Sequence, residues 1–448
     1  MKIETLKRSH LKRNIMILII IIIIISTIIF TFTRAKYRSK YSIPLIESII
    51  NYKVSDFKLV SIYSKEEGGE YQNIDSIPKT GYILNTDNSY CEILDETGNS
   101  IKDESVELLY ENGSMTFSNV TKKGTKCYLY FDEFIMTIRD QILQNYPTQL
   151  IRTDFDEIIM NATSSTIYYA DTNQGRTYYF AGAPTDNWVY FAGFYWRIIR
   201  INEDGSLRII YNGTNPNQTG EDLQIGTSNF NDEYNDNAYV GYMYGTPGGL
   251  TYAETHANIN DSTIKVVLDE WYEKNLLNYA EYISTEAGFC GDRTPSTSEE
   301  TSNGLGGTGT IQTYYGAYIR LITNSSPSYE CNDNDLFTVS SSSKGNKALD
   351  YPIGLITADE VKYAGSGRSS ANNNKYFLYT GNNYWTMTPS WLLLSRSAAG
   401  FFVYNSGMLG GSGPYMVANP YGVRPVINLE AHTIISGSGT TSDPYIVS

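Results

Sequence analysis

The residue types that most often carry catalysis are scarce in this chain. It has three His and four Cys among 448 residues. A Ser-His-Asp triad would need His256 or His432, and neither lies beside the Gly-x-Ser-x-Gly turn that exposes a nucleophilic serine. A histidine in a polar segment is more often solvated or hydrogen-bonded. We therefore predict that the protein is not an enzyme.

The four cysteines fall into two pairs that are local in sequence. Their spacing disfavours zinc, because no pair has the C-x-x-C pattern and His is nearly absent. Four cysteines allow three disulfide pairings. Two local pairings keep each bridge inside one domain, so we predict Cys91–Cys127 and Cys290–Cys331. Each bridge would close a loop of several tens of residues, a contribution of about 4 kcal/mol to stability.

Two segments are dense in oxygen ligands and suit Ca²⁺. They are residues 229–236 and 332–335, and their carboxylates are those of Asp232, Asp236, Asp333 and Asp335. Neither segment has the glycine that the EF-hand spacing requires. Asn and Asp also serve turns. Calcium is thus the only cofactor that the sequence suggests, beside the alternative that these residues only form turns.

The stretch 382–420 combines aromatic residues with Asn, Ser and Gly, a composition typical of recognition surfaces. About half of its aromatics, Phe401 among them, also suit a core strand. Trp391 lies between turn-like residues and favours the surface. The ligand-binding residues that we predict are Trp391, Leu393, Tyr404, Asn405, Met408, Tyr415 and Asn419.

The charge is distributed unevenly along the chain. Residues 1–40 carry nine Lys or Arg and one Glu, whereas the remaining 408 residues carry 25 basic and 47 acidic side chains. Such an acidic body would be repelled by phosphate backbones. Nucleic acid is therefore excluded as a partner.

Residues 15–32 form an apolar run of 18 residues, which spans about 27 Å as a helix. Basic residues flank this run on both sides. The pattern predicts an uncleaved signal anchor, with a cytoplasmic tail and the anchor in residues 1–36 and the C-terminal domains extracellular. The alternative is a cleaved signal peptide, but residues 31–34 lack the small residues of a cleavage site. The predicted localisation is therefore the cell membrane, with a single pass through residues 15–32.

Three further segments follow the predicted anchor. Residues 37–131 consist of short apolar or alternating runs separated by turns, and Asn112-Gly113 predicts a hairpin, so we expect a small β-sandwich. Residues 132–165 have a helical period and are interpreted as a connector. Residues 166–448 form the largest domain, which is rich in Tyr, Asn, Gly and Ser.

The largest domain mixes predicted strands and helices. Strands are expected within residues 188–212, closed by a hairpin at Asp204-Gly205. Helical periodicity predicts a helix over residues 261–282. The spacing of Thr357 and Glu360 is that of a capping box and predicts a short helix from Ala358. The fold class expected for the chain is α+β.

Several stretches of this domain, taken together, carry a resemblance. They are residues 195–201, 235–245, 354–361, 384–386 and 422–429. The combination resembles an uncharacterised surface domain of Gram-positive bacteria with a C-type-lectin-like fold similar to that of sulfatase-modifying factors, usually preceded by a β-rich companion. The resemblance implies a fold and a surface location but no reaction. The reactive cysteine pair of the sulfatase-modifying enzymes is missing, since no Cys follows Cys331. Residues 386–419 also resemble the diversified ligand face of lectin-like proteins.

The function predicted from these features is that of a non-catalytic, membrane-anchored extracellular protein for ligand binding or adhesion. Its partner would be an extracellular protein or a glycan. Two alternatives stay open. One is a structural cell-envelope protein without a specific ligand, and the other is an extracellular hydrolase, which would need a carboxylate pair that the sequence does not locate.

Overall fold

The computed structural model describes residues 57–447. The described range omits residues 67–68, 80, 112, 134–136, 162–165, 297–305, 368–371, 394–396, 412–415 and 434. The chain forms two compact units that divide between residues 135 and 136. The predicted anchor at residues 15–32 and the predicted site residue Tyr415 lie outside the described residues.

The first unit is built from eight strands among its described residues. They are β1 (Lys58–Lys65), β2 (Gln72–Ile74), β3 (Tyr82–Leu84), β4 (Tyr90–Leu94), β5 (Ser100–Lys102), β6 (Glu107–Glu111), β7 (Ser114–Ser118) and β8 (Lys126–Glu133). One sheet has the order β2-β1-β8-β4-β5, with β3 also paired to β8. The strands β1 and β8 run parallel, and β6 and β7 form a separate hairpin.

Buried and half-buried side chains alternate along β8, and the buried ones show which face of the sheet packs against the core. Leu129 and Phe131 are fully buried and pack with Met115 of the hairpin. The predicted hairpin is confirmed, and Gly113 at its turn has a φ of +73°, which favours glycine. The core of the first unit therefore lies between the sheet and the β6–β7 hairpin.

The second unit contains the remaining elements of the described chain. Its strands are β9 (Thr148–Ile151), β10 (Thr166–Thr172), β11 (Gly175–Tyr179), β12 (Trp188–Phe191), β13 (Phe194–Ile201), β14 (Leu207–Tyr211), β15 (Thr227–Ser228), β16 (Met243–Tyr244), β17 (Asn260–Asp261), β18 (Phe289–Cys290), β19 (Thr313–Tyr314), β20 (Leu336–Phe337), β21 (Tyr384–Leu392), β22 (Ala398–Val403), β23 (Leu409–Gly410), β24 (Tyr421–Gly422), β25 (Val426–Leu429), β26 (Ile435–Ser436) and β27 (Tyr445–Val447). Its α-helices are α1 (Ile138–Leu143), α2 (Tyr252–Thr255), α3 (Thr263–Asn275), α4 (Gly316–Tyr318) and α5 (Ala358–Tyr363).

Two sheets organise the second unit. The larger has the order β26-β27-β12-β13-β11-β10-β9, with β14 joining β13 to β25. The smaller has the order β15-β24-β21-β22-β23, with β19 also paired to β21. Both contribute to one hydrophobic core, in which Trp196 of the larger sheet and Trp385 of the smaller are fully buried.

The predicted helices are present in shortened form. Helix α3 begins after Ser262, whose side chain accepts from the backbone N–H of Lys265, and a 3₁₀ turn over Leu277–Tyr282 follows it. Helix α5 begins at Ala358 as predicted, with both hydrogen bonds of the Thr357–Glu360 capping box. The helix predicted over 261–282 is thus confirmed for its α-helical part at Thr263–Asn275.

The α+β fold class is wrong for this chain. Strands make up 33% of the structure and helices 14%. Helix α3 has 13 residues, but α1 and α5 have six each. The reason lies in the Tyr-, Asn- and Gly-rich segments, which favour short strands and turns rather than helices.

The predicted membrane anchoring is also corrected. A bilayer-crossing helix needs about 20 apolar residues. No helix in the described part of the chain combines that length with sufficient hydropathy. The predictions of a single transmembrane helix and of a single-pass membrane protein are therefore unsupported.

Both predicted disulfides are confirmed. Cys91 of β4 lies directly opposite Cys127 of β8 in the same sheet, with a Cα–Cα distance of 4.1 Å. Cys290, at the end of β18, is bonded to Cys331 with a Cα–Cα distance of 5.9 Å. All four cysteines are thereby used.

Candidate functional site

The predicted ligand-binding residues fall at two opposite ends of β21. Trp391 lies near the end of the strand and is only 4% exposed. Its ring contacts those of Tyr314 and Tyr318, with centroids 6.1 and 5.1 Å away. Leu393 follows the strand and is half-buried. Trp391 is therefore a core residue with little surface to offer a ligand.

Residues near the start of β21 come together around one cluster of aromatic rings. The ring of Tyr404 lies 4.5 Å from that of Phe402, which in turn lies 4.8 Å from that of Tyr421. The amide of Asn419 donates to the Tyr421 hydroxyl at 3.2 Å. We call this group, with the neighbouring Asn383, Asn405 and Met408, the Tyr404–Tyr421 rim.

A tight turn after β22 positions part of the rim. The backbone N–H of Tyr404 donates to the carbonyl of Met408, and Gly407 between them has a φ of +83°. The backbone N–H of Asn405 donates to the side chain of Asn383 at 2.8 Å, so the turn is held to the residue just before β21. Asn405 itself is exposed.

The rim rests on a rigid base. Phe402 and Trp385 are fully buried, and the Trp385 ring lies 4.8 Å from that of Tyr421. The indole N–H of Trp385 donates to the carbonyl of Ser228 at 3.0 Å, which ties β21 to β15. The base is therefore preformed, so that binding would cost little ordering entropy. The ligand-binding residues predicted from the sequence do not include Asn383, which lies within the stretch 382–420, or Tyr421, which follows it directly.

A second candidate is a cavity beside the Cys290–Cys331 disulfide. Its lining includes Glu360, whose carboxylate lies 2.5 Å from Nε of Arg208 and 3.2 Å from Nε of Arg200. Burial alone would raise the pKa of Glu360, but Arg208 and Arg200 outweigh burial and hold it below its ordinary value. Removing one partner of such a buried group leaves an unpaired charge, at a cost of about 3–5 kcal/mol.

The same cavity contains a carboxylate pair. Asp292 and Asp359 both contact Nη2 of Arg320, at 2.6 and 2.7 Å. Burial raises the pKa of Asp292, which Arg320 opposes. The carboxylates of a glycosidase pair flank the scissile bond of the bound sugar, whereas both of these carboxylates are bound to the same guanidinium. We therefore interpret Asp292 and Asp359 as members of an ion-pair network.

The size of this cavity also argues against a ligand site. Its volume is about 50 Å³. A buried water needs about 10–15 Å³ of such a cavity, so the cavity has room for only a few waters. We interpret the Glu360 network as part of the stabilising interior.

The four calcium candidates do not form a common group. Asp236 is buried, and its carboxylate accepts from the backbone N–H groups of Ala238 and Gly248. Asp335 is buried in an ion pair with Arg293 at 2.8 Å. Asp232 and Asp333 are exposed. Calcium binding stays a prediction, without a site built from these residues.

Another acidic group occurs at α3, within the described residues. Asp261, Asp269 and Asp350 have oxygens close enough to share a cation. The ammonium of Lys265 lies among them, at 3.3, 2.5 and 2.9 Å. A lysine already supplies the positive charge there, so the group is interpreted as an ion-pair cluster.

Comparisons with protein families, with curated proteins and with solved structures found no match for this chain. The interpretation of the Tyr404–Tyr421 rim therefore depends on its own geometry.

Proposed function

We propose that the protein is a non-catalytic ligand-binding protein and that the Tyr404–Tyr421 rim is its recognition surface. The observation that supports this proposal is the gathering of Tyr404, Asn405 and Asn419 around the Phe402–Tyr421 ring pair. Residues 406–418 separate Asn419 from the other two in the sequence, so that only the fold brings the three together. A surface of this composition suits recognition better than catalysis.

The chemistry of the rim defines what it would bind. Tyrosine combines a large apolar ring with a hydroxyl, and it has few rotatable bonds to immobilise. Each asparagine offers two N–H donors and one carbonyl acceptor. The rim has no charged member, so the proposed ligand is an uncharged part of a protein or a glycan that carries both apolar and hydrogen-bonding groups.

Arrays of purified glycans and purified proteins, probed with the full-length chain, test the proposal. Tyr404→Ala is expected to weaken the best interaction by about ten-fold or more, as for a central aromatic contact. Asn405→Ala is expected to weaken it several-fold. Asn324→Ala is the matched control, because Asn324 is an exposed asparagine of the same unit outside the rim.

Two results would contradict the proposal. Equal binding by the wild type and by Tyr404→Ala, with both folded, would exclude the rim as the binding surface. An array without any specific interaction would favour the structural protein without a ligand.

A further inference from the structure

The first unit has a second aromatic surface that is separate from the rim. Along β8, Tyr128 and Tyr130 alternate with the buried Cys127, Leu129 and Phe131. Because successive side chains of a strand point to opposite faces, both tyrosines lie on the face away from the core. The hairpin β6–β7 packs on the other face.

Neighbouring strands extend this surface. Tyr63 of β1 lies opposite Tyr130, and Tyr90 of β4 lies opposite Tyr128. Their rings stack in pairs, with centroids 4.7 and 4.9 Å apart, and Tyr71 contacts Tyr130 edge-on at 5.0 Å. These five half-buried tyrosines, Tyr63, Tyr71, Tyr90, Tyr128 and Tyr130, form what we call the tyrosine face.

A disulfide on the core side of the sheet fixes the register of the strands that carry the tyrosine face. The Cys91–Cys127 bond joins β4 to β8 on the core side, one residue away from the Tyr90–Tyr128 pair. Cross-strand aromatic pairs add about 0.2–1 kcal/mol each to this register. The rings are thus held in a preformed row.

Both carboxylates on this face are engaged by its own residues. Asp132 lies 3.6 Å from the ammonium of Lys65, and Glu92 accepts from the Tyr128 hydroxyl at 3.1 Å. Lys126 and Lys102 occupy the positions opposite Glu92 on the adjacent strands, so that three lysines accompany two carboxylates. A basic peptide would need carboxylates that are not already engaged. An anionic polymer gains affinity from each Lys or Arg that it contacts, and this face has an excess of only one lysine. A charged partner would therefore gain little here, which favours an uncharged one.

Hydrogen-bonding groups border the rings. The hydroxyl of Tyr71 donates to Asp132 at 2.6 Å and accepts from the amides of Asn85 and Asn88. The hydroxyls of Tyr63, Tyr90 and Tyr130 make no hydrogen bond with other described residues. They can therefore pair with groups of a ligand.

We propose that the tyrosine face binds a neutral polysaccharide. A pyranose ring has apolar C–H groups that pack against aromatic rings, and uncharged hydroxyls that both donate and accept hydrogen bonds. This combination matches a row of tyrosines that has little net charge and three hydroxyls available to a ligand. The site lies in the first unit and is independent of the proposed function of the rim.

Affinity electrophoresis of the full-length chain tests the proposal. The probes are hydroxyethylcellulose and a yeast mannan as neutral polysaccharides, and polygalacturonate as an anionic one. We expect retardation by a neutral polysaccharide and none by polygalacturonate. The double variant Tyr63→Ala/Tyr90→Ala is expected to lose at least ten-fold in affinity. Tyr190→Ala, which changes an exposed tyrosine of the second unit outside both proposed surfaces, is the control that should bind normally.

Tyrosine iodination mapped by mass spectrometry gives a second readout on the unmutated chain, should the double variant not fold. The bound polysaccharide is expected to slow iodination of Tyr63, Tyr90 and Tyr130 and to leave Tyr190 unaffected.

The proposal is overturned if neither neutral polysaccharide binds, or if the double variant is folded and binds normally. It is also overturned if these tyrosines react in the free chain as slowly as the buried Tyr179, which would show that another part of the chain covers the face.

Discussion

His256 shows how little a residue type says about its role without its surroundings. Its side chain is 6% exposed and stacks on Tyr252 at 4.2 Å. Its ring nitrogens lie 3.3 Å from the Tyr252 carbonyl and 3.2 Å from the Tyr315 hydroxyl. Burial, with Arg293 nearby, lowers the pKa of His256 to about 3. The imidazole is therefore a neutral core group at physiological pH, which agrees with the hydrogen-bonded role expected from the sequence.

This pKa predicts a pH dependence of stability. Below pH 6.5 the unfolded chain binds a proton at His256 that the folded chain does not bind until about pH 3. The free energy of unfolding should therefore fall as the pH decreases between these values, by about 1.4 kcal/mol per unit from this residue. Urea unfolding of the wild type and of His256→Gln at pH 7, 6, 5 and 4 measures the difference.

The control for this titration is His432→Gln, because His432 is exposed. It should keep the pH dependence of the wild type. A constant difference between the wild type and His256→Gln across this pH range would contradict the assignment.

At the scale of elements, β21 shows why the sequence of residues 382–420 does not reveal which of its aromatic residues are buried. All nine of its residues are buried, so that neither face is open to solvent. A strand covered on both faces has no polar alternation to reveal it. Its partners are also distant in sequence, since Trp385 bonds to Ser228 and the backbone of Met387 to that of Ile356.

The elements that the sequence predicted correctly depend on short-range chemistry. The Thr357–Glu360 capping box and the hairpins at Gly113 and Gly205 are each specified within a few residues. By contrast, the parallel pairing of β1 with β8 joins strands that are far apart in the sequence of the first unit. No pattern within a few residues specifies that pairing. Composition predicted Tyr404, Asn419 and Trp391 together as ligand-binding residues, and only the burial seen in the structure separates Trp391 from the other two.

Trp391→Ala tests whether this strand end belongs to the core. Removing a buried tryptophan costs about 3–5 kcal/mol, because a cavity remains between its neighbours. We expect a loss of stability of that size in urea, whereas Leu393→Ala, at a half-buried position, should cost about 1 kcal/mol. A folded Trp391→Ala protein with wild-type stability would show that the side chain is not part of the core.

At the scale of the whole molecule, each disulfide closes a loop within one unit. The loops span 36 and 41 residues. In the chain-entropy model each bridge contributes about 4 kcal/mol by restricting the unfolded chain. Such a contribution is a large part of the usual stability of a domain, about 5–15 kcal/mol. Reduction of one disulfide should therefore lower the stability of the unit that contains it and leave the stability of the other unit unchanged.

The distribution of tryptophan allows this separation to be measured. All five Trp follow residue 187, so their fluorescence reports on the second unit alone. Cys290→Ser/Cys331→Ser should shift the fluorescence-detected urea transition to lower concentration, whereas Cys91→Ser/Cys127→Ser should leave it in place. Hydrogen exchange of β4 and β8, followed by mass spectrometry, should become faster in Cys91→Ser/Cys127→Ser, because the Cys91–Cys127 bond links these two strands directly. It should stay unchanged in Cys290→Ser/Cys331→Ser. An equal shift of the tryptophan transition by both pairs would mean that the bridges do not act within their own units. Four free thiols in the non-reduced wild type would contradict the role of both bridges.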